Sequence, residues 1–187
     1  MSDNNLKIDP KALMRLAKGG DSEAFNCLYG LYFVPVFRYI SLRVKNKEEA
    51  EDLTQNVFLK VYRSIPDFQE QNKPPLAYFF TIARNTLIDS WRKKKNSTVN
   101  LEAISETPDP GANPQESTEK RAAAQAIRQI IQNLTEDQRE VIILKFINEM
   151  PNNEIARLLE KSEDAIRQLQ CRALKALREQ IKNSELL

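Results

Sequence analysis

Residues 96–119, NSTVNLEAISETPDPGANPQESTE, divide this 187-residue chain into two parts. The segment is rich in Pro, Ser, Thr and Asn and carries five acids (Glu102, Glu106, Asp109, Glu116, Glu119) with no base. Such a composition cannot bury a core and reads as a flexible acidic linker. The chain is therefore limited to two small units, residues 1–95 and 120–187. Its ordinary apolar content, 41%, lets each of them bury a modest core.

Both units read as all-α. No stretch sustains the two-residue alternation of a strand, and the periodic signal is helical throughout. The expected helices are 10–18, 22–44, 47–65 and 76–94, then 136–147, 153–160 and 163–181, with helical structure resuming near Lys120. The glycines Gly19, Gly20, Gly30 and Gly111 are expected in loops or in early helix. Asp21 or Ser22 can cap the second helix. Thr135 begins T-E-D-Q, a capping box with Gln138. Ser162 can cap the last helix, where Glu163 and Asp164 suit its positive end. The two last helices, joined by a short break, have the outline of a helix-turn-helix, although Glu160 stands where a glycine would ease the turn.

The faces of these helices carry the functional information. In Leu76–Lys95, LAYFFTIARNTLIDSWRKKK, one face holds Leu76, Ala77, Phe80, Ala83, Leu87, Ile88 and Trp91. The other holds Tyr78, Ile82, Asn85, Asp89 and Arg92, with Phe79 and Thr86 at its border. Arg84 falls in the apolar arc and calls for an acidic partner. Aromatics stack on unpaired bases and cations neutralise phosphates, so this outer face suits separated DNA strands. Along 47–65, Ala50, Leu53, Val57, Phe58, Val61, Tyr62 and Ile65 form a core face. Opposite lie Glu48, Glu49, Asp52, Gln55, Asn56 and Lys60, with Leu59 alone among them. An apolar centre with a polar rim is the pattern of a protein-binding site, although a single exposed leucine is also ordinary. On the last helix Ile166, Leu169, Ala173, Leu174, Leu177 and Ile181 make the apolar arc, into which Gln170 intrudes without explanation. Arg167, Gln168, Cys171, Arg172, Lys175 and Arg178 make a cationic and amide face that suits base edges and phosphates. For a lone helix such a face would read as solvated surface, and it is the preceding turn and helix that favour DNA.

Composition excludes several classes of function. The net charge is only +2, but charge is sorted into patches: four acids in 48–52, four bases in 92–95, six bases against three acids in 161–182. There is no histidine, and the cysteines are Cys27 and Cys171 alone. A histidine base, a Cys/His zinc site and a disulfide framework are thereby excluded. No phosphate-binding GxxxxGK[ST] motif is present, and no catalytic residue, metal or cofactor is expected. The N-terminal MSDNNLKIDPKAL lacks the apolar stretch of a signal peptide and no run is long enough to span a membrane, so a cytoplasmic protein without membrane insertion is expected.

Three blocks in order make a more specific match. AEDLTQNVFLKVY (50–62), PLAYFFTIARNTLIDSWRKK (75–94) and LTEDQREVIILKFINEMPNNEIARLLEKSEDAIRQLQCRALKALR (134–178) resemble the core-polymerase-binding helix, the promoter-melting and −10 helix, and the −35 helix-turn-helix of sigma-70 transcription initiation factors. The likeness is to their small two-domain extracytoplasmic-function (ECF) group. Tyr78 stands where the group often has Trp. Glu160 and Asp164 stand where it often has Gly, and Pro151–Asn152 replace a Ser-bearing turn.

The resemblance implies that residues 1–95 bind core RNA polymerase and melt the −10 element, while residues 120–187 recognise the −35 element. Asp52, Gln55, Asn56 and Leu59 would dock on the clamp helices of the β′ subunit. Asp67, Phe68 and Gln69, in the loop 66–75, would receive a flipped base. Tyr78, Asn85, Asp89, Arg92 and Lys93 would line the −10 strand, and Arg167, Gln168, Cys171, Arg172, Lys175 and Arg178 would grip the −35 duplex. The linker would thread toward the active-site and RNA-exit region. The group is commonly held by an anti-sigma factor, and this sequence identifies none. Two rivals stay open at this level: a free-standing helix-turn-helix regulator acting on duplex DNA, and a helical adaptor whose basic faces are merely solvated.

Overall fold

A computed structural model of the chain describes residues 9–69, 74–97 and 126–184. Helix α1 (Pro10–Lys18) starts behind Asp9, whose side chain accepts from the Lys11 amide. Helix α2 (Ser22–Ser41) starts behind Asp21, which accepts from the amides of Glu23 and Ala24. Helix α3 (Lys47–Ser64) is capped by Asn46 and runs into a 3₁₀ turn, Ile65–Asp67. Helix α4 spans Pro75–Ser97. The chain is helical again over 126–132, here α5. Helix α6 (Glu136–Ile142) continues as a single π turn, Ile143–Ile147. Helices α7 (Asn152–Leu159) and α8 (Glu163–Ser184) follow. Among the described residues there is no strand. Residues 98–125, and with them most of the expected linker and Gly111, lie outside the described part, as do 70–73 of the loop 66–75.

The capping signals read from the sequence act as expected. Thr135 and Gln138 close a capping box, and the Ser162 hydroxyl accepts from the Ala165 amide at 3.1 Å. Glu160 takes the left-handed conformation, φ 54° and ψ 41°, that a glycine would adopt without strain. Helix α2 ends three residues earlier than Val44, because Leu42–Asn46 turn the chain to present Asn46 as the cap of α3. Gly30, expected in a loop or early helix, lies midway along α2, as does Pro35.

Helices α2, α3 and α4 pack side by side, with α1 laid against α2. Between them Phe58, Phe79 and Tyr32 form an aromatic chain with ring centres 4.9 and 5.4 Å apart. Phe79 and Thr86, expected at the border of the outer face, are instead buried at 0% and 4% exposure. Helix α4 is covered by α2, α3 and α7, so its buried arc is wider than a helix with one partner would have. The Thr86 hydroxyl is satisfied by the Ile82 carbonyl at 2.8 Å, as the buried Thr54 is by Ala50 at 2.6 Å. Tyr62 departs in the other direction. Expected in the core, it is 57% exposed and meets the ring of Phe25 edge-on at 5.0 Å.

In the C-terminal part α8 packs on α6 and α7. The π turn widens the end of α6 so that Ile143 and Leu144 point inward while Phe146 stays half exposed. Leu174 and Ile181, assigned to the apolar arc of α8, are exposed at 36% and 43%, because the arc outruns the short helices beneath it. The buried apolar side chains of the two halves run on into one cluster: Val36, Tyr39, Phe80 and Leu87 join Val141, Leu144, Met150 and Ile155. Helix α7 touches α4, and the π turn touches α2.

Candidate functional site

Helix α3 carries the first candidate surface. Burying Ala50, Leu53, Val57 and Val61 turns Asp52, Gln55, Asn56 and Leu59 outward, and all four are exposed. Leu59 is 53% exposed, and one helical turn on is the exposed Tyr62. The expected isolation of Leu59 on a polar face is therefore real on one side and relieved by an aromatic on the other.

The second surface joins the end of α3 to α4. Phe68 is buried, its ring edge-on to Tyr78 at 4.8 Å, and the Lys18 ammonium donates to its carbonyl at 2.6 Å. Asp67 and Gln69 on either side are exposed. Tyr78 is half-buried and shares a hydrogen bond of 2.6 Å with Ser64, so the ring offers only part of itself to solvent. Asn85, Asp89, Arg92 and Lys93 are exposed along α4. Asp89 pairs with Lys60 of α3 at 3.4 Å, which links the first and second surfaces. Trp91 is half-buried against the core.

The third surface is the outer face of α8, where Arg167, Gln168, Cys171, Arg172, Lys175 and Arg178 are all exposed. Arg167 is held by Asp164 at 2.6 Å and Glu163 at 3.5 Å on its own helix. Gln170, unexplained in the sequence, forms a reciprocal amide pair with Asn152, its Nε2 donating at 2.9 Å. That pair fixes the start of α7 to the middle of α8 and so sets the angle between the two helices of the motif. Cys27 is exposed as well.

One polar group was not found from the sequence. Glu140 is only 7% exposed. It accepts from the Tyr39 hydroxyl at 2.5 Å and from the Arg43 guanidinium at 2.6 Å. Arg43 also lies 3.7 Å above the Tyr39 ring and donates to the Tyr39 carbonyl at 2.8 Å. Burial raises the Tyr39 pKa well above its ordinary value. Arg84, Arg139, Trp91 and Glu136 line the same crevice. The acidic surroundings expected for Arg84 exist there, but Glu140 is taken by Arg43. Burial, with Arg43 nearby, lowers the Arg139 pKa, and its guanidinium caps the carbonyls of Ile131, Gln132 and Leu134. The available signal was an acid at the head of an apolar run, Glu140-Val-Ile-Ile-Leu. Among the described residues no group of acids or cysteines could hold a metal ion, and no helix is long and apolar enough to cross a membrane.

Residues 28–97 match the family model described as Sigma-70 region 2, and residues 124–177 match Sigma-70, region 4. The chain is 34% identical over 169 residues to the ECF RNA polymerase sigma factor BldN of Streptomyces coelicolor, covering 88% of this chain and 63% of that relative's length. It is 31% identical to SigX of Bacillus subtilis, an ECF RNA polymerase sigma factor, covering 88% of this chain and 86% of SigX. In fold it is similar to CnrH in complex with the cytosolic domain of CnrY, with a TM-score of 0.74 at 21% identity, over 94% of this chain and 99% of that one. It is also similar to RpoE of Bartonella quintana in complex with the anti-sigma factor NepR, with a TM-score of 0.65 at 23% identity, over 84% and 96%.

Proposed function

The chain belongs to the ECF RNA polymerase sigma factors of the sigma-70 family, and from that premise we propose how its surfaces divide the work. It is a non-catalytic, dissociable specificity subunit, working in the cytoplasm. Residues 1–95 bind core RNA polymerase and open the −10 element, residues 96–119 are a linker, and residues 120–187 bind the −35 element. Asp52, Gln55, Asn56 and Leu59 dock on the β′ clamp helices. Asp67 and Gln69 flank a pocket for an unstacked base whose wall is set by Phe68 and Tyr78. Asn85, Asp89, Arg92 and Lys93 follow the −10 strand. Arg167, Gln168, Cys171, Arg172, Lys175 and Arg178 meet the −35 duplex, with α8 as the recognition helix.

The energetics are balanced. Unstacking a base costs a few kcal/mol, and stacking recovers about 1–3 kcal/mol per base, so strand capture needs no nucleotide hydrolysis. RpoE of Bartonella quintana, similar in fold, is solved with the anti-sigma factor NepR, and an anti-sigma factor is proposed as a further partner of this chain.

The observation that carries this reading over a free-standing helix-turn-helix regulator is Leu59, exposed among Asp52, Gln55 and Asn56. A regulator acting alone on duplex DNA has no use for such a face. The test is transcription in vitro with core polymerase and genomic fragments, with start sites mapped. Promoter opening that requires both components is expected. Tight, specific duplex binding by the isolated chain with no polymerase association would overturn the reading.

A further inference from the structure

Glu140 is contributed by α6, while Tyr39 and Arg43 come from α2 and the turn after it, so this buried cluster spans the two halves of the chain. Both carboxylate oxygens are used, one by Tyr39 and one by Arg43, and the Arg43 and Glu140 side chains are only 3% and 9% exposed. The halves also share apolar packing. The polar cluster differs in kind from that packing. When the halves separate, Arg43 and Glu140 both regain water, which offsets much of what their contact contributes. It fixes one closed geometry yet allows release.

The closed geometry is incompatible with the proposed task. Elements named −10 and −35 lie about 25 base pairs apart, or about 85 Å along B-DNA at about 3.4 Å per base pair. A compact chain of this length has a radius of gyration of about 16 Å, hence a diameter of about 40 Å. With α4 touching α7, the surface on α4 and that on α8 cannot reach both elements at once. The stretch 98–125 reaches at most about 90–100 Å at about 3.3–3.6 Å per residue, so the chain is long enough to do so once the halves part.

We infer that Tyr39, Arg43 and Glu140 form an autoinhibitory clasp that holds the free chain closed and must open for the two halves to occupy the two promoter elements. The clasp itself is a claim about the free chain; its role in restraining promoter binding rests on the sigma-factor reading.

The two exposed cysteines, Cys27 on α2 and Cys171 on α8, give one dye site in each half. Single-molecule energy transfer on the full chain, free of polymerase and DNA, is expected to show mainly a compact, high-transfer state. Glu140→Ala leaves the Arg43 charge without its carboxylate and the Tyr39 hydroxyl without its acceptor, both buried in the closed form only. It should raise the open-to-closed ratio at least fivefold. Arg43→Ala, which removes the partner from the other half, should do the same, and the double variant should add little to either. Asp137→Ala, which breaks the Lys161 pair within the C-terminal half, should change nothing. Circular dichroism identifies a variant that fails to fold, in which case the other single variant decides. A wild-type chain that is mainly open overturns the clasp. So does a rise below fivefold in the folded variants, or an equal rise in Asp137→Ala. These readings contain no polymerase, so the clasp can fail while transcription in vitro still supports the sigma reading, and the reverse.

Discussion

Leu59→Arg tests the proposed polymerase surface most sharply, because the structure separates its effect on binding from its effect on folding. Leu59 is 53% exposed, so about half of the value of a fully buried leucine, itself about 1.5–3 kcal/mol, remains to be gained on docking. That is about 0.8–1.5 kcal/mol. An arginine at the apolar centre of the contact adds the burial of a charge without a partner, about 2 kcal/mol or more. Together they give about 3–4 kcal/mol, or about 10²–10³ in affinity at about 1.4 kcal/mol per tenfold. Within the chain the side chain is half covered, and the aliphatic stem of an arginine keeps most of that cover, so stability changes by about 0.5 kcal/mol or less, a shift in Tm of at most about 2 °C for a chain of this size. Competition against fluorescent wild type for core polymerase, run beside a thermal melt, measures both. An affinity within fivefold of wild type would remove Leu59 from the contact. A fall in Tm of more than about 4 °C would place Leu59 in the core instead.

Glu160→Gly relieves a left-handed residue at the end of α7 and is expected to stabilise the chain by about 1 kcal/mol, read as a rise in Tm of about 2–4 °C; a fall would show that the side chain has a partner worth more than the strain. Lys175→Ala should weaken −35 binding and make the slope of log K against log salt shallower by about 0.9, the signature of one lost phosphate contact; an unchanged slope removes it from the interface. Tyr32 has its pKa raised to about 12, first by burial and then by Glu154 and Asp9. A raised folded-state pKa favours the neutral phenol, so its contribution is complete below about pH 10 and is lost as pH rises from 10 to about 12. Tyr32→Phe should match wild type near pH 7 and flatten part of the alkaline fall in Tm; an unchanged fall would assign it to other groups, Tyr39 first.

Helix starts, helix faces and the tight turn were legible because each is encoded within a few residues. The Thr135–Gln138 box needs only four positions, Ser162 only its own hydroxyl, and the outward turn of Leu59 only the phase of α3. What escaped is encoded between distant segments. Gln170 looked anomalous on an apolar arc until Asn152, from the start of α7, supplied its amide partner. Phe79 and Thr86 looked like border residues because periodicity states how a helix is divided, not how many neighbours cover it. Glu140 and Arg43 are separated by 97 positions, and no local pattern links an acid before an apolar run to an arginine after another helix. Among the candidate contacts Phe68 was recognised by its loop, but its burial follows from Tyr78 and Lys18, which the loop sequence does not contain.

The start of α8 illustrates how a local departure bears on recognition. The resemblance puts glycine at position 164, where this chain has an aspartate with an 81% exposed side chain that holds Arg167 at 2.6 Å. An acid in the first helical turn stabilises that end of the helix, yet with α8 as the proposed recognition helix it would stand where a DNA phosphate approaches. The pair formed with Arg167 is exposed, and such pairs contribute about 0–1 kcal/mol. Its loss is therefore a small barrier to Arg167 reaching a guanine, whose bidentate contact is worth about 1–3 kcal/mol of discrimination. Nonspecific attraction near the helix start falls, because Asp164 and Glu163 cancel part of the cationic face, while the gain on meeting the right base is kept. On the proposed placement of α8 in the −35 duplex, the acids at 163 and 164 would act mainly against indiscriminate phosphate binding, and would leave affinity without specificity to Lys175 and Arg178, about three and four turns further along the helix.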